Sequence, residues 1–118
     1  MKIIKTALIY YGMAKSGYIY LICDPATDLF KIGLTTGSIH NRMKKLQTGN
    51  GTELHLAYVH YTDHPYKLEK MLHNHFHAKR ELNEWFSLDS DDLEHFNDVC
   101  LEKEDIIASL KDNPFFND

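Results

Sequence analysis

Between Gly17 and Leu34, hydrophobic and polar positions alternate with a period of two on either side of a short polar interruption. The segments GYIYLIC (17–23) and LFKIGL (29–34) are rich in aromatic and β-branched residues. Asp24, Pro25, Ala26, Thr27 and Asp28 between them favour a turn. The pattern predicts a β-hairpin. Tyr18, Tyr20 and Ile22 share one face of the first strand, and Ile19, Leu21 and Cys23 the other. A four-residue loop over residues 24–27 pairs Cys23 with Asp28 and, counting outward, sets Tyr20 opposite Lys31.

Past the hairpin the period changes. Ile39, Met43 and Leu46 recur at helical spacing with Arg42 and Lys45 beside them, Ser38 is placed to cap, and Thr48, Gly49, Asn50 and Gly51 follow, so residues 39–47 read as a helix. Residues 53–61 (ELHLAYVHY) alternate again, Leu54, Leu56, Tyr58 and His60 against His55, Ala57, Val59 and Tyr61, which is a half-buried third strand. Asp63 as cap and Pro65 in the first turn open a second helix, with Leu68, Met71, Leu72 and Phe76 as its apolar side, ending near Arg80. The short EWFSL segment (84–88) returns to the sheet. Asp89 and Ser90 open a last helix over residues 89–113, with Leu93, Phe96, Cys100, Ile107 and Leu110 along one stripe and Pro114 as its stop. The expected class is α+β: a small three-stranded antiparallel sheet flanked by helices, with a C-terminal helix. A chain of 118 residues supports one modest core. One domain is expected, with an N-terminal extension (1–16), a body (17–88) and the last helix (89–113).

Charge adds an asymmetry that the hydrophobic pattern hides. The formal net charge is only −4, yet residues 1–80 hold eleven lysines and arginines against five acids, and residues 81–118 hold two against twelve. A basic body with an acidic end suits a polyanionic ligand and something that opposes it. Cys23 and Cys100 form no CxxC pair, which argues for a reducing compartment and against a zinc ribbon. The apolar run after Lys2 and Lys5 is broken by Tyr10, Tyr11 and Gly12 without a cleavage site, so no signal peptide is expected. No stretch approaches the roughly 20 apolar residues of a membrane span. The expectation is a soluble, cytoplasmic protein with no membrane partner.

Two groups of residues could carry chemistry. Tyr20 and Lys31 share a face of the hairpin, where a phenol beside an ammonium is either a reactive pair or ordinary packing with polar tips in water. Glu69, His73 and His77 fall at i, i+4 and i+8 on the second helix, a row that could face a metal ion. One carboxylate with few further protein ligands fits Mg²⁺, which retains waters and borrows phosphate oxygens. The structural reading of the same row is an ion pair between Glu69 and a lysine, with histidines edging the core.

Five blocks in order, GYIYLI, FKIGLT, NRMKKLQT, LEKMLHNHF and EWFSL, give residues 17–88 a resemblance to the GIY-YIG endonuclease superfamily. The closer resemblance is to a branch common in phages that reads KIG where the namesakes read YIG. The resemblance implies cleavage of phosphodiesters with one divalent ion, Mg²⁺ or Mn²⁺, on a small antiparallel sheet. It matches Tyr20 to the tyrosine of the first motif, Lys31 to the first tyrosine of the second, Arg42 to the arginine of the next helix and Glu69 to the metal-binding glutamate. Leu46 stands where the family often has a histidine one turn after the arginine, which leaves that role to His40 or His73. Asn83 is the nearest asparagine.

Phosphodiester hydrolysis needs an activated water and neutralisation of charge on the phosphoryl oxygens. A phenol is a poor base at neutral pH, and an ammonium and a divalent ion beside it both favour its anion, which makes Tyr20 the general-base candidate and Lys31 its modulator. Arg42 can bridge two phosphate oxygens, Glu69 can hold the ion, and His73 can orient Glu69 or a water. Tyr18, Arg42, Lys44 and Lys45 are the candidate nucleic-acid contacts. The expected function is a metal-dependent DNA endonuclease or nickase. The alternatives are a non-catalytic nucleic-acid-binding module, or a protein-interaction or inhibitory domain that uses the acidic C-terminal helix. That helix must bury its stripe on its own domain or on a second copy, and two strands to cut favour a homodimer.

Overall fold

The computed structural model describes residues 15–110. Strands β1 (Gly17–Asp24) and β2 (Leu29–Thr35) form the expected hairpin, one residue longer at each inner or outer end. Its register differs from expectation. Asp24 pairs with Leu29, Ile22 with Lys31 and Tyr20 with Gly33. The cause lies in the turn, where the Asp24 carbonyl accepts from the N–H groups of Thr27 (3.2 Å) and Asp28 (2.8 Å) and its side chain accepts from Ala26 N. Asp28 adopts a left-handed backbone (φ 60°) that belongs to the turn and not to the ladder. The slip is two residues, so Tyr20 and Lys31 keep a common face but stand diagonally.

Helix α1 (Ile39–Gln47) forms as expected, with the Ser38 side chain accepting from Asn41 N. Strand β3 (His55–Thr62) pairs antiparallel with β1 and carries a bulge: Leu21 faces Tyr58 and Ile22 faces Leu56, leaving Ala57 without a partner. The bulge overturns the simple alternation. Leu54 packs with Tyr20 and Ile22, whereas Tyr58 packs on the other side of the sheet.

Helix α2 (Pro65–His75) begins one residue later than expected. His64, not Asp63, is its N-cap, Pro65 is its first residue, and the Asp63 carboxylate instead accepts from the Ser16 hydroxyl at 2.9 Å. A 3₁₀ turn (His77–Lys79) follows, then β4 (Arg80–Leu82) and β5 (Trp85–Phe86), a second hairpin turned by Asn83 at φ 51°. Among the described residues the sheet therefore has five antiparallel strands, in the order β3-β1-β2-β5-β4, and not three. The expected last helix is two: α3 (Ser90–Glu94), capped by a reciprocal pair of Asp89 and Asp92, and α4 (Phe96–Leu110) after a break at His95. Expectations for residues 1–14 of the extension and for Pro114 lie outside the described residues.

The sheet separates two apolar clusters. Ile19, Leu21 and Ile32 meet Leu68, Leu72 and Phe76 of α2 and its end, Phe86, and Phe96, Cys100 and Ile107 of α4. Phe96, Cys100 and Ile107 of the C-terminal stripe are thus buried on the domain's own core, whereas Leu93 is exposed and Leu110 only half-buried. Burial pushes the Cys100 thiol up to about 12. The opposite face holds Tyr20, Ile22 and Leu54 under Ile39, Met43 and Leu46 of α1 and Trp85 of β5. Each fully buried aliphatic side chain contributes roughly 1.5–3 kcal/mol. No helix among the described residues is long and apolar enough to cross a membrane.

Candidate functional site

Tyr20 is almost wholly buried, and its ring lies across Gly33, where an added β-carbon would stand 2.4 Å from the phenol oxygen. The missing side chain at Gly33 is what admits the ring. The phenol oxygen accepts a hydrogen bond from Nε of Arg42 at 3.2 Å, a bond that also raises the basicity of the guanidinium. Arg42 faces the sheet because α1 seats Ile39, Met43 and Leu46 on the cluster beside Tyr20.

Lys31 has a different partner from the one expected. Its ammonium donates to Oε2 of Glu84 at 2.9 Å and lies 5.7 Å from the centroid of Trp85. The pairing of Lys31 with Trp85 across β2 and β5 brings Glu84, one residue earlier, to the lysine. Glu84 also hydrogen-bonds the side chain of Glu69 from α2. Burial, then the neighbouring Glu84 charge and that hydrogen bond, push the Glu69 carboxyl up to about 7 against the pull of Lys31 and Arg42. Burial raises Glu84 as well, but the Lys31 ammonium outweighs it and holds Glu84 below the ordinary carboxylate range.

Helices α1 and α2 lie over opposite faces of the sheet, yet their polar groups meet. The explanation is the brevity of β5, which pairs with β2 only at Phe30 and Lys31, with one further bond from Ile32 N to Glu84 O at 3.1 Å. At that edge His73 Nε2 donates to the Ile32 carbonyl at 2.7 Å, satisfying a group that a longer strand would have paired. Tyr20, Lys31, Arg42, Glu69 and His73 are thus brought into one linked set around the β2 edge.

Other candidates lie outside it. Tyr18 stacks edge-on against the exposed Tyr61 at 5.6 Å, on the same sheet face as Tyr20. Lys44 and Lys45 are exposed in the last turn of α1. His77 leaves the expected row because α2 ends at His75; its Nδ1–H donates to the Asn74 carbonyl at 2.8 Å. His40 is exposed, and Asn83 is a turn residue. Glu84 is the residue that sequence reasoning missed. Its signal was a buried-strand lysine, Lys31, with no assigned counter-ion.

From Glu69 an open groove of about 780 Å³ runs along α2, lined by Lys70, His73, Asn74, His77 and Arg80. One carboxylate oxygen each from Glu69 and Glu84 and a ring nitrogen of His73 lie within 4.8 Å of one another. Together, a buried phenol bonded to a guanidinium, an ammonium and two carboxylates beside a cationic groove can bind a phosphate and a cation at once.

No curated protein and no solved structure matches the chain. Residues 17–101 match the family model of the T5orf172 domain, a GIY-YIG-related family, and span all the elements that build this site. The chain belongs to the T5orf172 domain family.

Proposed function

We propose that this domain is a divalent-metal-dependent DNA endonuclease or nickase of GIY-YIG type, close to the phage branch that reads KIG. The observation that carries the reading is the Tyr20–Arg42 hydrogen bond next to the Lys31, Glu84 and Glu69 cluster, because binding alone requires no carboxylate among the cations. The donor set fits a hard cation: Glu69 is a partly buried carboxyl whose proton a cation can replace. Mg²⁺ or Mn²⁺ held by Glu69 supplies charge neutralisation at the scissile phosphate.

The chain's own residues supply the rest. Arg42 spans two phosphate oxygens and stabilises the charge that builds on them. Tyr20, held by its buried ring and by Arg42, would take the proton of the attacking water as its phenolate, with the Arg42 guanidinium as the adjacent positive charge and Lys31 holding Glu84 beside Glu69. His73 orients the Glu69 side chain one helical turn away. Tyr18, Lys44 and Lys45 contact the nucleic acid beyond the scissile phosphate.

The test is supercoiled plasmid incubated with purified protein and Mg²⁺ or Mn²⁺, read as nicked and linear forms. Glu69→Ala is expected to abolish cleavage and to leave DNA binding in place, whereas Arg42→Ala lowers both. Cleavage that survives Glu69→Ala and EDTA would refute the reading.

A further inference from the structure

We propose that Glu84 and His73 join Glu69 as protein ligands of the divalent ion, and that this three-ligand set makes the site prefer Mn²⁺ to Mg²⁺. The proposal builds on the nuclease reading, which gives the ion to Glu69 alone.

The geometry comes first. The three donor atoms lie within 4.8 Å of one another. Ligands at bonds of about 2.1 Å stand no more than about 4.2 Å apart across an ion, so the cluster closes on one with shifts of about an ångström or less. Glu84 is free to take part because its pairing with Lys31 uses Oε2, and an ion can replace the hydrogen bond it now makes to Glu69. The fold also delivers it reliably. Its carbonyl is tied to Ile32 N, and the next residue, Trp85, is in register with Lys31.

His73 carries the arrangement that ligating histidines share. Its Nε2–H is given to the Ile32 carbonyl at 2.7 Å, which fixes the tautomer and leaves the lone pair on Nδ1. That nitrogen accepts a long hydrogen bond, 3.4 Å, from Nη2 of Arg80, which an ion at Nδ1 would have to displace, while the Arg80 guanidinium also lies over the Phe86 ring. Two carboxylates and an imidazole suit octahedral Mn²⁺. Mg²⁺ favours oxygen ligands and gives up its waters reluctantly.

The experiment uses the full chain without nucleic acid, with Mn²⁺ alone and Mg²⁺ alone as probes. Calorimetry is expected to show Mn²⁺ binding about tenfold or more tightly than Mg²⁺, and Glu84→Gln weakening Mn²⁺ by about tenfold or more. Water relaxation with bound Mn²⁺ should show an extra water where the Glu84 oxygen was, an effect that loss of a distant charge would not produce. Pulsed electron paramagnetic resonance should show nitrogen coupling from one imidazole in the wild type. His73→Gln, which keeps a donor for Ile32, should remove that coupling. Unchanged affinity and hydration in Glu84→Gln, absent nitrogen coupling, or no Mn²⁺ binding at millimolar concentration would each overturn the proposal. The two readings separate cleanly: three-ligand binding without any nicking defeats the nuclease reading and leaves this site standing, and nicking with an ion held by Glu69 alone does the reverse.

Discussion

A β-carbon on Gly33 would stand 2.4 Å from the phenol oxygen of Tyr20, the same oxygen that accepts from Arg42. Gly33→Ala must therefore displace the ring or the strand. It is expected to cost about 1–3 kcal/mol in denaturant unfolding, the usual range for overpacking. It should also reduce plasmid nicking, whereas Tyr20→Phe, which preserves the packing, should cost only about 1 kcal/mol and still lose the nicking. Full activity in Tyr20→Phe would remove the phenol from the mechanism.

Glu69 makes stability depend on pH in a definite direction. Its carboxyl titrates near 7 when folded and near the ordinary 4.5 when unfolded, so between those values the folded state holds a proton that the unfolded state has lost. Stability contributed by this group is present below about 4.5, falls as pH rises toward 7, and is gone above it. For a half-buried group open to solvent screening the change is of the order of 1 kcal/mol. Urea unfolding in EDTA at about pH 5 and about pH 8 should show a shallower pH dependence in Glu69→Gln than in the wild type; identical dependences would contradict the assignment.

Lys44 and Lys45 are exposed at the end of α1, the helix that brings Arg42 to Tyr20. Replacing both with alanine should weaken DNA binding across sequences and reduce the log–log salt slope by up to about 2, since each phosphate contact adds roughly 0.9. Binding titrations at several salt concentrations read this directly, and an unaltered slope would place the DNA elsewhere.

Ile107 is buried on the domain's own core. Ile107→Ala is expected to destabilise the fold by about 2–5 kcal/mol, with no change of oligomeric state as the primary effect. Sedimentation of the folded variant alongside its unfolding curve distinguishes the two. Dispersal of a dimer without loss of stability would show that the helix serves an interface instead.

Much of this was legible in the chain. Strong periodicity fixed β1, β2 and α1, and the Ser38 cap and the Gly49 region marked the ends of α1 closely. The failures share a physical source. Pairing of Tyr20 with Lys31 depended on whether Asp28 belongs to strand or turn, and only its left-handed backbone decides that. The faces of β3 depended on one unpaired residue, Ala57, to which a two-residue period is blind. Residues 80–82 are too short to carry a period at all. Glu84 was hidden for the same reason, because its place beside Lys31 comes from that second hairpin and not from any spacing to Glu69.

That hairpin has a consequence for how the side-chain cluster is held together. β5 pairs with β2 at only two residues, and β4 is three residues long, all exposed. Phe86 anchors β5 in the core, but β4 and the Asn83 turn have few ladder bonds and little burial, and such segments open locally at a small fraction of the global unfolding free energy. Amide exchange should be fast at residues 80–84 while the amides of β1 remain protected. Since Glu84 rides on this hairpin, each opening event also strips the ion-pair partner from Lys31 and the hydrogen-bond partner from Glu69. The side-chain cluster should therefore flicker between assembled and dispersed forms while the domain stays folded, and warming should disperse it well before the domain melts.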